Sequence, residues 1–124
     1  MDKKTILIVE DEVDAAKTLA AALKTHDFEV QFAPDAIFGA QEAVEKKPDL
    51  ILLDLIIPAG GGLAVLERVR NSVHLQGVPV IVLTGSENPI HKGRAEALGI
   101  SAYRTKPYAI EELINDIKGL LGDN

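Results

Sequence analysis

Three runs in this chain, TILIVE (5–10), LILLD (50–54) and VPVIVLT (78–84), are apolar at nearly every consecutive position. A strand with one solvated face alternates between apolar and polar residues. These runs do not, so both of their faces must be covered. Each is also shorter than an ordinary helix. Two further strand candidates read differently. FEVQFA (28–33) sets Phe28, Val30 and Phe32 on one side against Glu29 and Gln31 on the other, and ISAYRT (100–105) is mixed. Partly polar strands belong at sheet edges. Helical patterns fill the intervals at roughly 12–25, 35–46, 62–72, 88–98 and 109–121. The last is the plainest, with Ile110, Leu113, Ile114, Ile117 and Leu121 on one face. Pro34, Pro48, Pro58, Gly60 to Gly62, Gly77, Gly99 and Pro107 punctuate the connections.

Repeating strand–helix units imply a parallel sheet with right-handed crossovers. With the second and fifth strands at the edges, the expected architecture is an α/β doubly wound five-stranded parallel sheet in the order 2-1-3-4-5, with five helices. Such a sheet binds ligands outside the carboxyl ends of its strands, where the first and third strands diverge. One domain is expected to span residues 1–124.

Composition narrows the function classes. The formal net charge of −6 argues against direct nucleic-acid binding. The absence of cysteine excludes disulfides and thiolate metal sites, and is compatible with a reducing cytoplasm, the expected location. The opening MDKKTILIVEDE reaches acidic residues too soon for a secretion signal, and no apolar run is long enough for a bilayer span. No membrane partner is expected.

The carboxyl edge of the expected sheet collects polar groups. The first strand ends in Glu10 and Asp11, the third at Asp54, and the fourth at Thr84 followed by Gly85 and Ser86. Lys106 and Pro107 follow the fifth. Taken singly, each has a plainer reading: an aspartate past a strand caps a turn, Glu10 to Glu12 charge the start of a helix, and a lysine is usually solvated. Jointly, they form an all-oxygen acidic cluster with one cation and one hydroxyl. Clustered carboxylates repel one another, and a hard divalent ion such as Mg²⁺ relieves that repulsion while binding phosphate oxygens.

The stretches ILIVEDE (6–12), LLDLIIP (52–58) with Gly62 after it, VLTGS (82–86) and YRTKP (103–107) together resemble the receiver domain of two-component response regulators, a flavodoxin-like fold. The resemblance covers the whole chain. It implies that Asp54 is the phospho-acceptor and that Glu10, Asp11, Asp54 and the backbone carbonyl of Ile56 hold Mg²⁺. Thr84 and Lys106 would contact phosphoryl oxygens. Pro107 would follow Lys106 through a cis peptide bond and position it. Tyr103 would be the switch aromatic, moving with Thr84. Ile56 and Ser86 would tune the rate of phosphoryl loss. Because Ile56 cannot hold a water by hydrogen bonding, self-dephosphorylation is expected to be slower than in an Ile56→Asn variant. Ile57, Tyr108 and the glycine run 60–62 depart modestly from the family pattern.

The resemblance further implies a phosphorylation-dependent signalling switch rather than a turnover enzyme. Its partners would be a sensor histidine kinase or phosphotransfer protein upstream, and a downstream protein or a separate output domain. The monomer could pair on phosphorylation through the face built from the fourth helix, fifth strand and fifth helix, where Arg94, Tyr103, Arg104, Glu111, Glu112 and Asp116 would show. In the first helix, Ala16, Leu19, Ala20 and Leu23 would face the sheet. Asp14, Ala15, Thr18, Ala21 and Ala22 would face solvent, either as a kinase-docking surface or simply as an alanine-rich helix. His26, His74 and His91 read as surface residues. The competing class is a pseudo-receiver, an interaction module of this fold that is never phosphorylated. A dehalogenase-type phosphatase would need a carboxylate at position 56, and an FMN carrier a hydroxyl-rich first loop in place of EDEVD.

Overall fold

The computed structural model describes residues 3–122. Its elements are β1 (Thr5–Val9), α1 (Val13–Thr25), β2 (Glu29–Ala33), α2 (Ala36–Lys46), β3 (Leu50–Leu53) and α3 (Gly62–Arg70). A 3₁₀ turn (Val73–Leu75), β4 (Val80–Thr84), α4 (Pro89–Leu98), β5 (Ala102–Thr105) and α5 (Ile110–Leu121) complete it. All strand pairs are parallel and the sheet order is β2-β1-β3-β4-β5, as the strand polarities require.

The doubly apolar strands divide their side chains between two cores. Ile6, Ile8, Leu50, Leu52, Ile81 and Leu83 pack with Leu19 and Leu23 of α1 and Leu113, Ile114 and Ile117 of α5. Leu7, Val9, Ile51, Leu53, Val80 and Val82 point the other way, to Ala43 of α2, Val65, Leu66 and Val69 of α3, and Ala95 of α4. Full burial of each large side chain contributes about 1.5–3 kcal/mol, so the central strands are the best-anchored part of the fold.

Several boundaries differ from the sequence reading. β4 starts at Val80 rather than 78, because Pro79 has no N–H to enter a ladder. β2 starts at Glu29 and β5 at Ala102, each a little inside the expected run. α3 ends at Arg70, before residue 72, and the 3₁₀ turn behind it was not anticipated. The alternation in β2 is only partly buried: Phe28 is in the core, whereas Phe32 is 39% exposed beside Val13 and Lys17 in the first turns of α1. In α1, Ala16, Leu19 and Leu23 are buried as expected, but Ala15 and Ala22 are half-buried rather than free in solvent. No described helix is long and apolar enough to cross a membrane.

Register positions the carboxyl edge. Val9 lies opposite Leu53, and the Asp54 N–H donates to the Val9 carbonyl at 3.0 Å, so Glu10 and Asp54 leave the sheet side by side. Thr84 lies opposite Thr105, and the Lys106 N–H donates to the Thr84 carbonyl at 2.8 Å. The β3–α3 connection turns sharply. Gly60 and Gly61 have φ of 122° and 80°, and Ala59 joins them at 65°, a conformation costly for a residue with a Cβ.

Candidate functional site

Glu10 and Asp54 are 7% and 6% exposed, an unusual depth for two neighbouring carboxylates. Lys106 makes this tolerable. Its Nζ donates to Glu10 Oε1 at 2.5 Å and to Asp54 Oδ2 at 2.8 Å. The remaining oxygens find backbone donors: the Ile56 N–H donates to Asp54 Oδ1 at 2.9 Å, and the Glu12 N–H to Glu10 Oε2 at 3.2 Å. Glu12, which begins α1, makes no side-chain cap of its own, so the acidic run is not serving as an ordinary helix cap. The lysine between two acids also answers why Asp54 sits inside an apolar stretch: its charge is held from both sides.

The electrostatics follow from this packing. Burial pushes the Glu10 carboxyl above its ordinary range, against the opposing pull of its hydrogen bonds to Lys106 and the Glu12 backbone. Burial pulls Lys106 the other way, but its hydrogen bonds to Asp54 and Glu10 outweigh that, and the ammonium is held more firmly charged than a free lysine.

Asp11 is exposed at the mouth of the site, and one oxygen from each of Glu10, Asp11 and Asp54 lies within 4.8 Å of the others. Three carboxylates against one ammonium leave two negative charges uncompensated. That charge, with an all-oxygen donor set partly open to water, fits a hard divalent cation.

Thr84 is fully buried, and its Oγ1 accepts the Ser86 N–H at 3.1 Å. Tyr103 is half-buried against the core and donates its hydroxyl to the Ser86 carbonyl at 3.3 Å, while Lys92 lies 5.4 Å above its ring. Burial raises the Tyr103 hydroxyl above its usual range, with the Asp54 and Glu96 carboxylates adding to it. The Lys106–Pro107 bond is cis. Ile56 splits its roles: the backbone N–H binds Asp54 while the side chain is 54% exposed at the rim. Arg104 is paired with Asp116 and Glu112 across β5 and α5.

The sequence reading therefore placed Glu10, Asp11, Asp54, Thr84, Ser86 and Lys106 at one edge, and the structure puts them there. It passed over two residues. His91, taken as surface, is half-buried with Nδ1 2.8 Å from Ser86 Oγ. The available signal was Asn88-Pro89, a helix start that puts residue 91 in the first turn above the loop. Arg70 donates to the Gly99, Leu75 and Gln76 carbonyls, a clamp between α3 and the end of α4 that depends on the unanticipated 3₁₀ turn.

Comparison with known proteins agrees with the fold. The family model of the response regulator receiver domain matches residues 6–118, and the chain belongs to that family. It thus falls among the receiver domains of two-component systems. It is 34% identical over 116 residues to the DNA-binding dual master transcriptional regulator RpaA of Synechocystis sp., covering 94% of this chain and 48% of that protein. It is 33% identical over 118 residues to the phosphate regulon transcriptional regulatory protein PhoB of Pseudomonas aeruginosa, covering 95% and 52%. The chain spans about half the length of these relatives. A CheY-like receiver domain protein from Methanospirillum hungatei superposes with a TM-score of 0.92 at 27% identity, covering 97% of this chain and 94% of that one.

Proposed function

We propose that this receiver domain is a phosphorylation-dependent switch that accepts a phosphoryl group on Asp54 from the phosphohistidine of a sensor histidine kinase or a phosphotransfer protein. The observation that carries this reading is the placement of Asp54: buried, hydrogen-bonded by Lys106 and the Ile56 N–H, and adjacent to Glu10 and Asp11. A lone carboxylate so placed would be a liability; a carboxylate that must attack an incoming phosphoryl group needs this alignment.

In the step, an Asp54 oxygen bonds to phosphorus, the phosphorus–nitrogen bond breaks, and the imidazole leaves with the electron pair. Lys106 stabilises charge on the phosphoryl oxygens, and the Thr84 hydroxyl, which accepts the Ser86 N–H through a lone pair, keeps its own proton to donate to them. Glu10, Asp11, Asp54 and the Ile56 carbonyl would hold Mg²⁺, whose charge would compensate the acidic cluster and the arriving phosphoryl oxygens. The acyl phosphate carries one more negative charge than the carboxylate. That charge draws Thr84 and the loop after β4 inward, and Tyr103, tied to that loop through Ser86, follows. The output surface is the face of α4, β5 and α5, which would engage a downstream protein, an output domain or a second copy. The domain turns over no substrate of its own, contacts neither nucleic acid nor membrane, and works in the cytoplasm.

Intact mass after incubation with acetyl phosphate and Mg²⁺ tests the reading. The expected result is one phosphoryl adduct, absent from an Asp54→Asn variant and from metal-free protein. Failure to form the adduct, together with failure to bind beryllofluoride and Mg²⁺, overturns it in favour of a pseudo-receiver.

A further inference from the structure

Ser86 is the knot of the loop between β4 and α4. Its N–H donates to Thr84 Oγ1 at 3.1 Å, and its carbonyl accepts the Tyr103 hydroxyl at 3.3 Å. Its own hydroxyl oxygen accepts the Asn88 N–H at 3.3 Å and lies 2.8 Å from His91 Nδ1. A serine hydroxyl has one proton and two lone pairs. A neutral imidazole protonated on Nε2 presents Nδ1 as an acceptor. In that tautomer the single Ser86 proton goes to His91, and the side chain is turned toward α4.

We infer that His91 is a positioning residue that holds the Ser86 hydroxyl away from phosphorylated Asp54 and thereby prolongs the phosphorylated state. This rests on the reading of Asp54 as phospho-acceptor. In hydrolysis, a water oxygen bonds to phosphorus, the bond from phosphorus to Asp54 oxygen breaks, and its electron pair returns to the carboxylate. The products are the Asp54 carboxylate and dihydrogen phosphate. A free hydroxyl beside the site can accept a hydrogen bond from that water while donating to a phosphoryl oxygen, holding the nucleophile at its target. Ser86 bound to His91 cannot do both, because its only proton is already engaged. Ile56, on the other flank, has no polar side-chain atom to take over the task. Both flanking positions then favour a long-lived phosphoryl group, one by its chemistry and the other by the company it keeps.

The test follows the decay of the acetyl phosphate-generated adduct by intact mass in five proteins: wild type, His91→Phe, His91→Asn, Ser86→Ala and the His91→Phe/Ser86→Ala double variant. His91→Phe is expected to shorten the lifetime roughly three- to tenfold, the effect of one hydrogen bond on a rate. His91→Asn, which keeps a polar atom near the Nδ1 position, restores it. In the Ser86→Ala background, His91→Phe has no effect. An unchanged or longer lifetime in His91→Phe, or an equal shortening in both backgrounds, overturns the inference. Imidazole nitrogen shifts of the unphosphorylated protein give an independent readout: neutral His91 protonated on Nδ1 overturns it even if no adduct forms, whereas a wild type without adduct but with the expected tautomer indicts the Asp54 reading instead.

Discussion

Asp54 and Thr84 end neighbouring strands, yet the helices that follow them are held in different ways. α3 starts against the proposed acceptor, Asp54. The Gly62 N–H donates to the Leu55 carbonyl at 3.0 Å, and a Cβ on Gly62 would come within 2.2 Å of the Asp54 carbonyl oxygen. The helix then buries Val65, Leu66 and Val69. α4 buries Ala95 alone. Its last turn is gripped by Arg70 through the Gly99 carbonyl, whereas its first turn meets the site through polar contacts: His91 with Ser86, the Asn88 cap, and Lys92 over the Tyr103 ring. The difference separates two tasks. On the proposed function, the group that would receive charge is locked to the core, and the element that would respond is anchored at the far end and light at the near one. Segments with few buried apolar contacts open first, and moving parts are drawn from them.

The largest expected effects test this contrast directly. Leu66→Ala in α3 should cost about 2–5 kcal/mol of unfolding free energy, because it leaves a cavity in a closed core. Ala95→Gly in α4 should cost only about 1–2 kcal/mol, the loss of one methyl and of helix propensity. Denaturant unfolding of both variants measures the gap. Equal losses would mean that α4 is as integral to the core as α3.

The second prediction asks whether the acceptor side is also held by charge. Lys106→Met removes the only side-chain donor to Glu10 and Asp54 among the described residues and should cost about 1–3 kcal/mol at neutral pH. The pH dependence follows from the direction of each shift. Glu10 is raised by burial, so the folded state favours its protonated form; that contribution is full below the ordinary glutamate value and is lost as pH rises through the raised one. The deficit of the variant should therefore shrink on acidification toward about pH 4. Lys106 is raised, so its own contribution in the wild type is full below the ordinary lysine value of 10.5 and is lost only in stronger alkali. Mg²⁺ should recover part of the deficit. A deficit independent of pH and metal would reduce Lys106 to a packing role.

How much of this was legible in the sequence depends on the range of the interactions. The sheet order could be read because apolar runs such as LILL, residues 50–53, report burial on both faces within a few residues. The site could be read because strand ends in this topology converge, so Glu10, Asp54, Thr84 and Lys106 needed only the correct strands. The contrast between α3 and α4 was only partly legible. α3 carries Leu63, Val65, Leu66 and Val69 where α4 has Ile90 and Leu98, but only packing shows that Ala95 is the one fully buried residue of α4 and that Leu98 covers the core in part. The roles of His91 and Arg70 were also hidden, since each depends on where a loop folds back: the first on the turn at Ser86, the second on the 3₁₀ turn that no periodicity announced. Phe32 is the opposite case, a residue on the side of β2 that the alternation gave but left partly exposed beside the first turns of α1.

The smallest expected effect bears on the near end of α4. The Asn88 side chain accepts the Ile90 N–H at 2.9 Å, and the Asn88 N–H donates to Ser86 Oγ. Asn88→Ala removes the cap but keeps the backbone bond, so it should cost about 1 kcal/mol. If α4 is hinged at Gly99 and light at Pro89, that loss is local. Amide hydrogen exchange should then accelerate in the first turns of α4, from residue 90 onward, with little change near residue 98 and none in α3. Uniform acceleration across α4 would show that the helix moves as one body and that the Arg70 clamp does not divide it. Acceleration reaching α3 would break the comparison at its root, because the side that holds Asp54 would then share the mobility of α4.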